Sequence, residues 1–195
     1  MSETERHLLQ TLRDLIGTDQ SKHLDACRSL ATDIVDERAI PDLARILSDA
    51  TYDAELRGAA EEALLAIFSS HSDPQVQSLM AAGSELMLNS LTLPRALAAF
   101  SEALELDAFH AEAYSKRGAV LYLMGDHEAS VADCHKATEI NPYHFGAVCG
   151  LGMCYAAMGE RKKALQYWRK ALSINPGLDY LKKLSQSVEK SQENE

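Results

Sequence analysis

Leu151-Gly152-Met153-Cys154-Tyr155-Ala156-Ala157-Met158-Gly159-Glu160, continuing through Ala164, Trp168 and Ala171 to Pro176, is a pattern the chain writes three times. Gly152 follows Gly118, and Gly118 follows Ser84, with a constant period of 34. Ala164 follows Ser130 and Ala96 at that interval, Trp168 follows Cys134 and Phe100, and Ala171 follows Ala137 and Ala103. Small residues recurring at fixed offsets with this period predict a repeated helix–turn–helix unit. The middle copy keeps Tyr114, Gly118, Leu121, Gly125, Ala137 and Pro142. The first has Gly83-Ser84 where Leu-Gly stands in the last, and Ala108 in place of the closing proline.

The spacing has a physical cause. Two helices of a hairpin approach closely only where a side chain is removed, which Gly118 and Gly152 do from one side and Ala96 and Ala164 from the other. Phe100 and Trp168 then fill the space to the next hairpin, the alternation of small and large that dense packing needs. One hairpin cannot bury its own apolar face, whereas three stacked hairpins and a capping helix can.

These residues resemble the tetratricopeptide repeat (TPR). The resemblance implies an all-α, right-handed α-α superhelix over residues 74–177. The hairpins are predicted at about Pro74 to Asn89 with Pro94 to Leu106, Phe109 to Leu123 with Asp126 to Ile140, and Tyr143 to Ala157 with Glu160 to Ile174. Gly125 and Gly159 stand where a left-handed residue ends the first helix. Residues 178–195 read as a capping helix from about Leu178 to Lys190, with Leu181, Leu184 and Val188 on one face, and a frayed tail from Ser191 to Glu195.

Residues 1–73 read as an N-terminal helical segment. Leu8, Leu9, Leu12, Leu15 and Ile16 share a face of a first helix that Gly17 stops, and Asp19 or Ser21 caps a second through about Ile34. A third helix around Ala39 to Leu47 and a fourth from Asp53 to Phe68 resemble a HEAT-like repeat. The resemblance is carried by Ala39-Ile40-Pro41, Leu43, Ile46-Leu47, Leu56, Ala59-Ala60, Ala63-Leu64 and Ile67. It implies that Asp49 and Arg57 brace the turn. Ser69 to Asp73 is the boundary, and its shortness predicts one continuous superhelix, with the N-terminal helices on the first TPR hairpin.

Composition bounds the function. Hydrophobic residues make up 46% and charged residues 25%, the balance of a folded chain. The net charge of −10 is concentrated before residue 161. An acidic body argues against nucleic acid, because neutralising phosphates needs a basic surface. The basic stretch Arg161, Lys162, Lys163, Arg169, Lys170, Lys182 and Lys183 reads as a solvated helix face. No apolar run approaches the ~20 residues of a membrane span, and the acidic N-terminus is unlike a secretory signal. The expectation is a soluble, intracellular, cytoplasmic protein, or an organellar one (plastid or mitochondrial) if a transit peptide has been removed.

No pattern for chemistry stands out. Cys27, Cys134, Cys149 and Cys154 follow helical core spacing, not a disulfide framework or the short-loop spacing of structural zinc sites. Gly-rich phosphate loops, nucleophile elbows and His-Glu-x-x-His are lacking. Glu61-Glu62 and Asp36-Glu37 are adjacent pairs that point to different sides of a helix. The expectation is therefore no enzyme, no metal and no cofactor.

Binding is the better-supported class. The TPR resemblance implies a concave groove lined by the first helix of each hairpin. In register, the lining is Ser78, Ala81, Glu85 and Leu88, then Glu112, Ser115, Ala119 and Tyr122, then Gly146, Cys149, Met153 and Ala156. Tyr122 and Met153 are its anchors, with Glu85 and Glu112 at the edges. Such a lining suits an apolar or weakly basic protein segment. The competing reading is a groove filled by the N-terminal helices or by a second copy, in a structural subunit working through its outer faces.

Co-chaperone TPR domains hold acidic chaperone tails with a basic clamp. The matching positions here are Ala81, Glu85, Ala119, Gly146 and Gly150, which lack any cation, so the acidic tail of heat-shock chaperones is excluded as a partner. The run Ala111-Glu112-Ala113-Tyr114-Ser115-Lys116-Arg117-Gly118, Leu123-Met124-Gly125-Asp126, His144-Phe145-Gly146-Ala147, Gly150-Leu151-Gly152 and Asp73-Pro74 are similar to those of small TPR proteins from alphaproteobacteria and from plants and algae. That group has no assigned activity, so the similarity implies fold and an organellar setting, not a mechanism. The reading is a non-catalytic adaptor or assembly factor.

Overall fold

The computed structural model describes residues 3–192. Among the described residues it is all-α, with eleven helices and no strand. The chain forms two compact units, Met1–Ser70 with Ile174–Pro176, and His71–Ser173 with Gly177–Glu195. The division falls inside the polar break Ser69 to Asp73.

In the first unit, α1 (Glu3–Ile16), α2 (Gln20–Thr32), α3 (Ile40–Ser48) and α4 (Ala54–Ser69) follow the apolar spacing of the sequence. Aspartates start α2 and α4. Asp19 accepts from Ser21 N–H ahead of α2, and Asp53 accepts from Leu56 N–H at 2.8 Å ahead of α4. Leu15, Leu30, Leu43, Ile46 and Leu64 are fully buried. His23 is buried among them and bonds the Gly17 carbonyl at 2.9 Å, which satisfies the end of α1. Within the same unit, buried Asn175 donates to Glu61 of α4 at 2.8 Å. Asp49 and Arg57 work separately here: Asp49 accepts from Thr51 N–H and hydroxyl, while Arg57 reaches the Asp53 carbonyl.

The second unit holds three hairpins. They are α5 (Pro74–Leu86) with α6 (Leu93–Leu106), α7 (Ala111–Leu123) with α8 (His127–Ile140), and α9 (Phe145–Ala157) with α10 (Arg161–Ile174). Helix α11 (Asp179–Gln192) follows; the tail beyond Gln192 lies outside the described residues. The repeat positions form the core as the period requires. Ala96, Phe100, Ala103, Ala137, Ala164 and Ala171 are fully buried, with Cys134 and Trp168 nearly so. A Cβ on Gly152 would run into the Trp168 indole, and one on Gly118 would come within 3.0 Å of the Cys134 sulfur.

Three local differences from the sequence reading have physical causes. In the first hairpin the close approach to Phe100 is made by Gly83, where a Cβ would meet the ring at 2.7 Å, one position before the register residue Ser84. Helix α5 ends at Leu86, not Asn89. Gly125 and Gly159 take φ of 85° and 80°, but Leu91 occupies the matching position in this hairpin. The chain there makes a 3₁₀ turn over Ser90–Thr92, capped by Asn89, with the Thr92 hydroxyl donating to the Leu86 carbonyl. Lastly, α7 and α9 start later than the pattern predicts, at Ala111 and Phe145. Asp107 and Asn141 accept from Phe109 and Tyr143 N–H in turns that hold the chain extended before the helix.

Candidate protein-interaction surface

The first helices α5, α7 and α9 carry eleven of the twelve expected groove positions, all but Leu88, and the three rows differ in character. Ser78, Ala81 and Glu85 are exposed on α5. Leu88, expected on the same helix face, lies beyond the end of α5 and is 87% exposed in the turn.

The second row is more enclosed. Glu112, Ser115, Ala119 and Tyr122 are all half-buried on α7. Glu112 is tied down: it accepts from His144 Nε2 at 2.8 Å and faces Lys116 Nζ at 3.5 Å. Burial alone would raise its carboxyl, but the His144 hydrogen bond and the neighbouring His144 and Lys116 charges hold it below the usual range. Tyr122 rests its ring 5.2 Å from that of His127, so this anchor is braced from its own hairpin.

In the third row Gly146 is exposed, and a Cβ there would stand 3.9 Å from the Ser115 hydroxyl, which places the second and third rows side by side. Met153 and Ala156 are half-buried. Cys149 differs from expectation. It is buried, and its sulfur lies 2.9 Å from the hydroxyl of Tyr180 on α11. Gly150 also turns from the groove: its Cβ position lies 2.9 Å from the Cys134 sulfur, toward α8.

Tyr180 was not among the candidates, although the signal was in the sequence. It stands one full period after Gly146, and α11 likewise starts one period after α9. The positions that would receive a second helix, Lys182 and Gln186, are polar and exposed. Helix α11 therefore starts in repeat register with a solvated far side, and its exposed Tyr180, Lys183 and Ser187 stand one period after Gly146, Cys149 and Met153.

The thiols are poorly suited to chemistry. Burial pushes Cys27 and Cys134 up to about 12 and raises Cys149 and Cys154 above the ordinary value. Cys154 contacts the Ser130 hydroxyl at 3.0 Å, and that hydroxyl donates to the Gly118 carbonyl at 2.7 Å. Among the described residues there is no group of His, Cys, Asp or Glu arranged to hold a metal ion. No helix among them is long and apolar enough to cross a membrane.

The tetratricopeptide repeat family matches residues 111–144 and 147–178, which are α7–α8 and α9–α10 with their following turns. The chain carries TPR repeats. Solved TPR structures share the fold. The Sgt2 TPR domain from Aspergillus fumigatus is 24% identical with a TM-score of 0.58, over 62% of this chain and 81% of that one. YrrB, described as a TPR protein with an unusual peptide-binding site, is 20% identical with a TM-score of 0.53, over 95% of this chain and 98% of that one. The TPR2AB domain of yeast Sti1, solved as a pHSP90 complex, is 19% identical with a TM-score of 0.52, over 96% and 77%. No protein of curated function matches the sequence.

Proposed function

We propose that this chain is a non-catalytic protein-interaction module, an adaptor or assembly factor, that holds a partner segment against the faces of α5, α7 and α9. The observation that carries the reading is the set of small residues on these faces, Ser78 and Ala81 on α5, Ser115 and Ala119 on α7 and Gly146 on α9, all exposed or half-buried. Behind them Phe100, Cys134 and Trp168 are buried in the core of the three hairpins. A surface of small side chains, with Tyr122 and Met153 beside them, suits the backbone of an extended or helical segment. Peptide complexes among similar folds support the class of function and do not name the partner.

The partner segment is apolar or weakly basic. Glu85 is exposed, while Lys116, the nearest cation on α7, is engaged by Glu112. An acidic chaperone tail would meet no basic clamp at Ala81, Glu85, Ala119 or Gly146. Nucleic acid is disfavoured by the acidic balance of the chain.

One observation favours the alternative of a structural subunit with a self-filled groove. Tyr180 already covers Cys149, so the α9 end of the surface is partly occupied by the chain itself.

Affinity capture with the wild type beside Tyr122→Arg/Met153→Arg separates the two readings, once circular dichroism shows both proteins folded. The adaptor reading expects a partner retained by the wild type and lost by the double variant. Identical capture by both would remove the groove as the working surface and leave the structural-subunit reading.

A further inference from the structure

Three histidines line the edge of the second unit where the first helices begin. His71 precedes the Asp73 cap of α5, His110 is the N-cap residue of α7, and His144 is the N-cap residue of α9. Hydrogen bonds fix the tautomers of the outer two. His71 Nδ1 accepts from Asp73 N–H at 3.0 Å, so its Nε2 carries the proton and donates to Asp107 at 3.0 Å. His144 Nδ1 accepts from Ala147 N–H at 3.1 Å, so its Nε2 donates to Glu112 at 2.8 Å.

His110 lies between them. Its ring centroid is 5.1 Å from that of His71, it is 8% exposed, and its Nε2 is buried without a hydrogen-bond partner. The titratable groups acting on it are His71 before α5, Asp107 at the end of α6, Glu112 on α7 and His144 at the start of α9. Both carboxylates are engaged already. Asp107 accepts from Phe109 N–H and His71, and Glu112 from His144 with Lys116 beside it. A proton added to His110 would therefore create a charge in a buried position, at the positive end of α7, beside two carboxylates that already accept from other groups. Burial above all, and then His71, depress its proton affinity.

We propose that His110, packed beside His71 at the seam of the first two hairpins, is an acid-sensitive joint: with His110 neutral α5–α6 is seated on α7, and protonation of His110 unseats it. His71 and Asp107 belong to the first hairpin and His110 to the second, so charge on His110 acts at the seam. The third hairpin is joined through His144 and Glu112, where a carboxylate sits directly on the imidazole. Acid therefore loosens the first hairpin before the third. The joint does not depend on what the groove binds.

The test is made first on the unaltered protein. Imidazole resonances are titrated by NMR, and amide hydrogen exchange, corrected for its intrinsic pH dependence, is compared at about pH 7.5 and about pH 5.5, on either side of the ordinary histidine value. His110 is expected to titrate below the ordinary value. The opening constants of α5–α6 amides are expected to rise several-fold more than those of α10. An ordinary titration midpoint for His110, or an equal rise in both regions, overturns the proposal. His110→Gln, which cannot take a charge, is expected to lose the excess rise in α5–α6. If that variant folds at about pH 7.5 and keeps the excess, the joint is not His110; if it does not fold, the measurement on the unaltered protein decides.

Discussion

Arg117 and Asp133 meet across the second hairpin as a two-point pair, with Nε and Nη2 of the guanidinium each donating to a different carboxylate oxygen at 2.7 Å. The remaining arm reaches the Ser101 hydroxyl on α6 at 3.4 Å, so one side chain on α7 ties together α6, α7 and α8. The pair is mostly shielded, with side-chain exposures of 25% and 10%. A planar fork held at both ends is specific to arginine. Asp133→Ala leaves the guanidinium unpaired in a half-buried site and is expected to destabilise the protein by about 2 kcal/mol. Arg117→Lys keeps the charge beside Asp133 but not the fork, and is expected to cost part of that amount. Urea unfolding midpoints of the three proteins check both.

Two glycines in helix interiors should respond to alanine with opposite signs. Gly152 is the point where α9 meets Trp168, and the added Cβ collides with a fully packed indole. Gly152→Ala is expected to cost roughly 1–3 kcal/mol through forced displacement of the ring. Gly58 in α4 has nothing within 4 Å of its Cβ position, so Gly58→Ala should stabilise by roughly 0.5–1 kcal/mol through helix propensity alone. Thermal melts of the two variants beside the wild type would show the contrast directly.

The repeat period carried most of the second unit, because burial at Ala96, Phe100, Ala103 and their counterparts is dictated by the same packing in each hairpin. What it did not carry came from places where one copy solves a local problem differently. Leu91 cannot take the backbone of Gly125, so the first turn is rebuilt around Asn89 and Thr92. Gly83 replaces Ser84 at the contact with Phe100 because a glycine next to the register position serves the approach better than a serine in register. The row of histidines was hidden for a related reason: His110 and His144 are one period apart, but His71 stands out of register before α5. The covering of Cys149 by Tyr180 follows from extending the register into α11, which a reading of that helix as a simple cap passes over.

Acid should act on this protein in two separate windows. Glu112 is held below its ordinary value of 4.5 and Asp107 below 3.8, in each case by hydrogen bonds and charges that outweigh burial. Their unfolded forms bind protons first as pH falls. The stability they contribute is present above those ordinary values and is lost as pH drops through them. His110 acts higher: its folded value lies below 6.5, so the unfolded chain again binds the proton first and stability falls as pH drops below 6.5. Glu112→Gln keeps an acceptor for His144 but removes the share of the lower window that Glu112 contributes, leaving that of Asp107. The stability difference between wild type and Glu112→Gln should shrink as pH is lowered from about 6 to about 3, read from urea unfolding at each pH.

Cys149 reports on where α11 sits. Its thiol is buried, its proton affinity is raised chiefly by burial, and its sulfur is covered by the Tyr180 hydroxyl at 2.9 Å. A thiol in that state offers little thiolate and little access, so the native protein should label slowly at Cys149 with an aromatic disulfide reagent near neutral pH. Tyr180→Ala removes the covering ring while leaving Leu181, the fully buried residue that seats the helix, in place. Labelling at Cys149, located by peptide mass spectrometry, should then accelerate at least several-fold, while Cys134, buried against Gly118 and Gly150 on the other side of α9, should stay slow. Acceleration at both cysteines would mean that the substitution loosened the whole hairpin. Equal rates at Cys149 with and without Tyr180 would mean that the Tyr180 ring does not shield the thiol and that Cys149 is protected by its other neighbours.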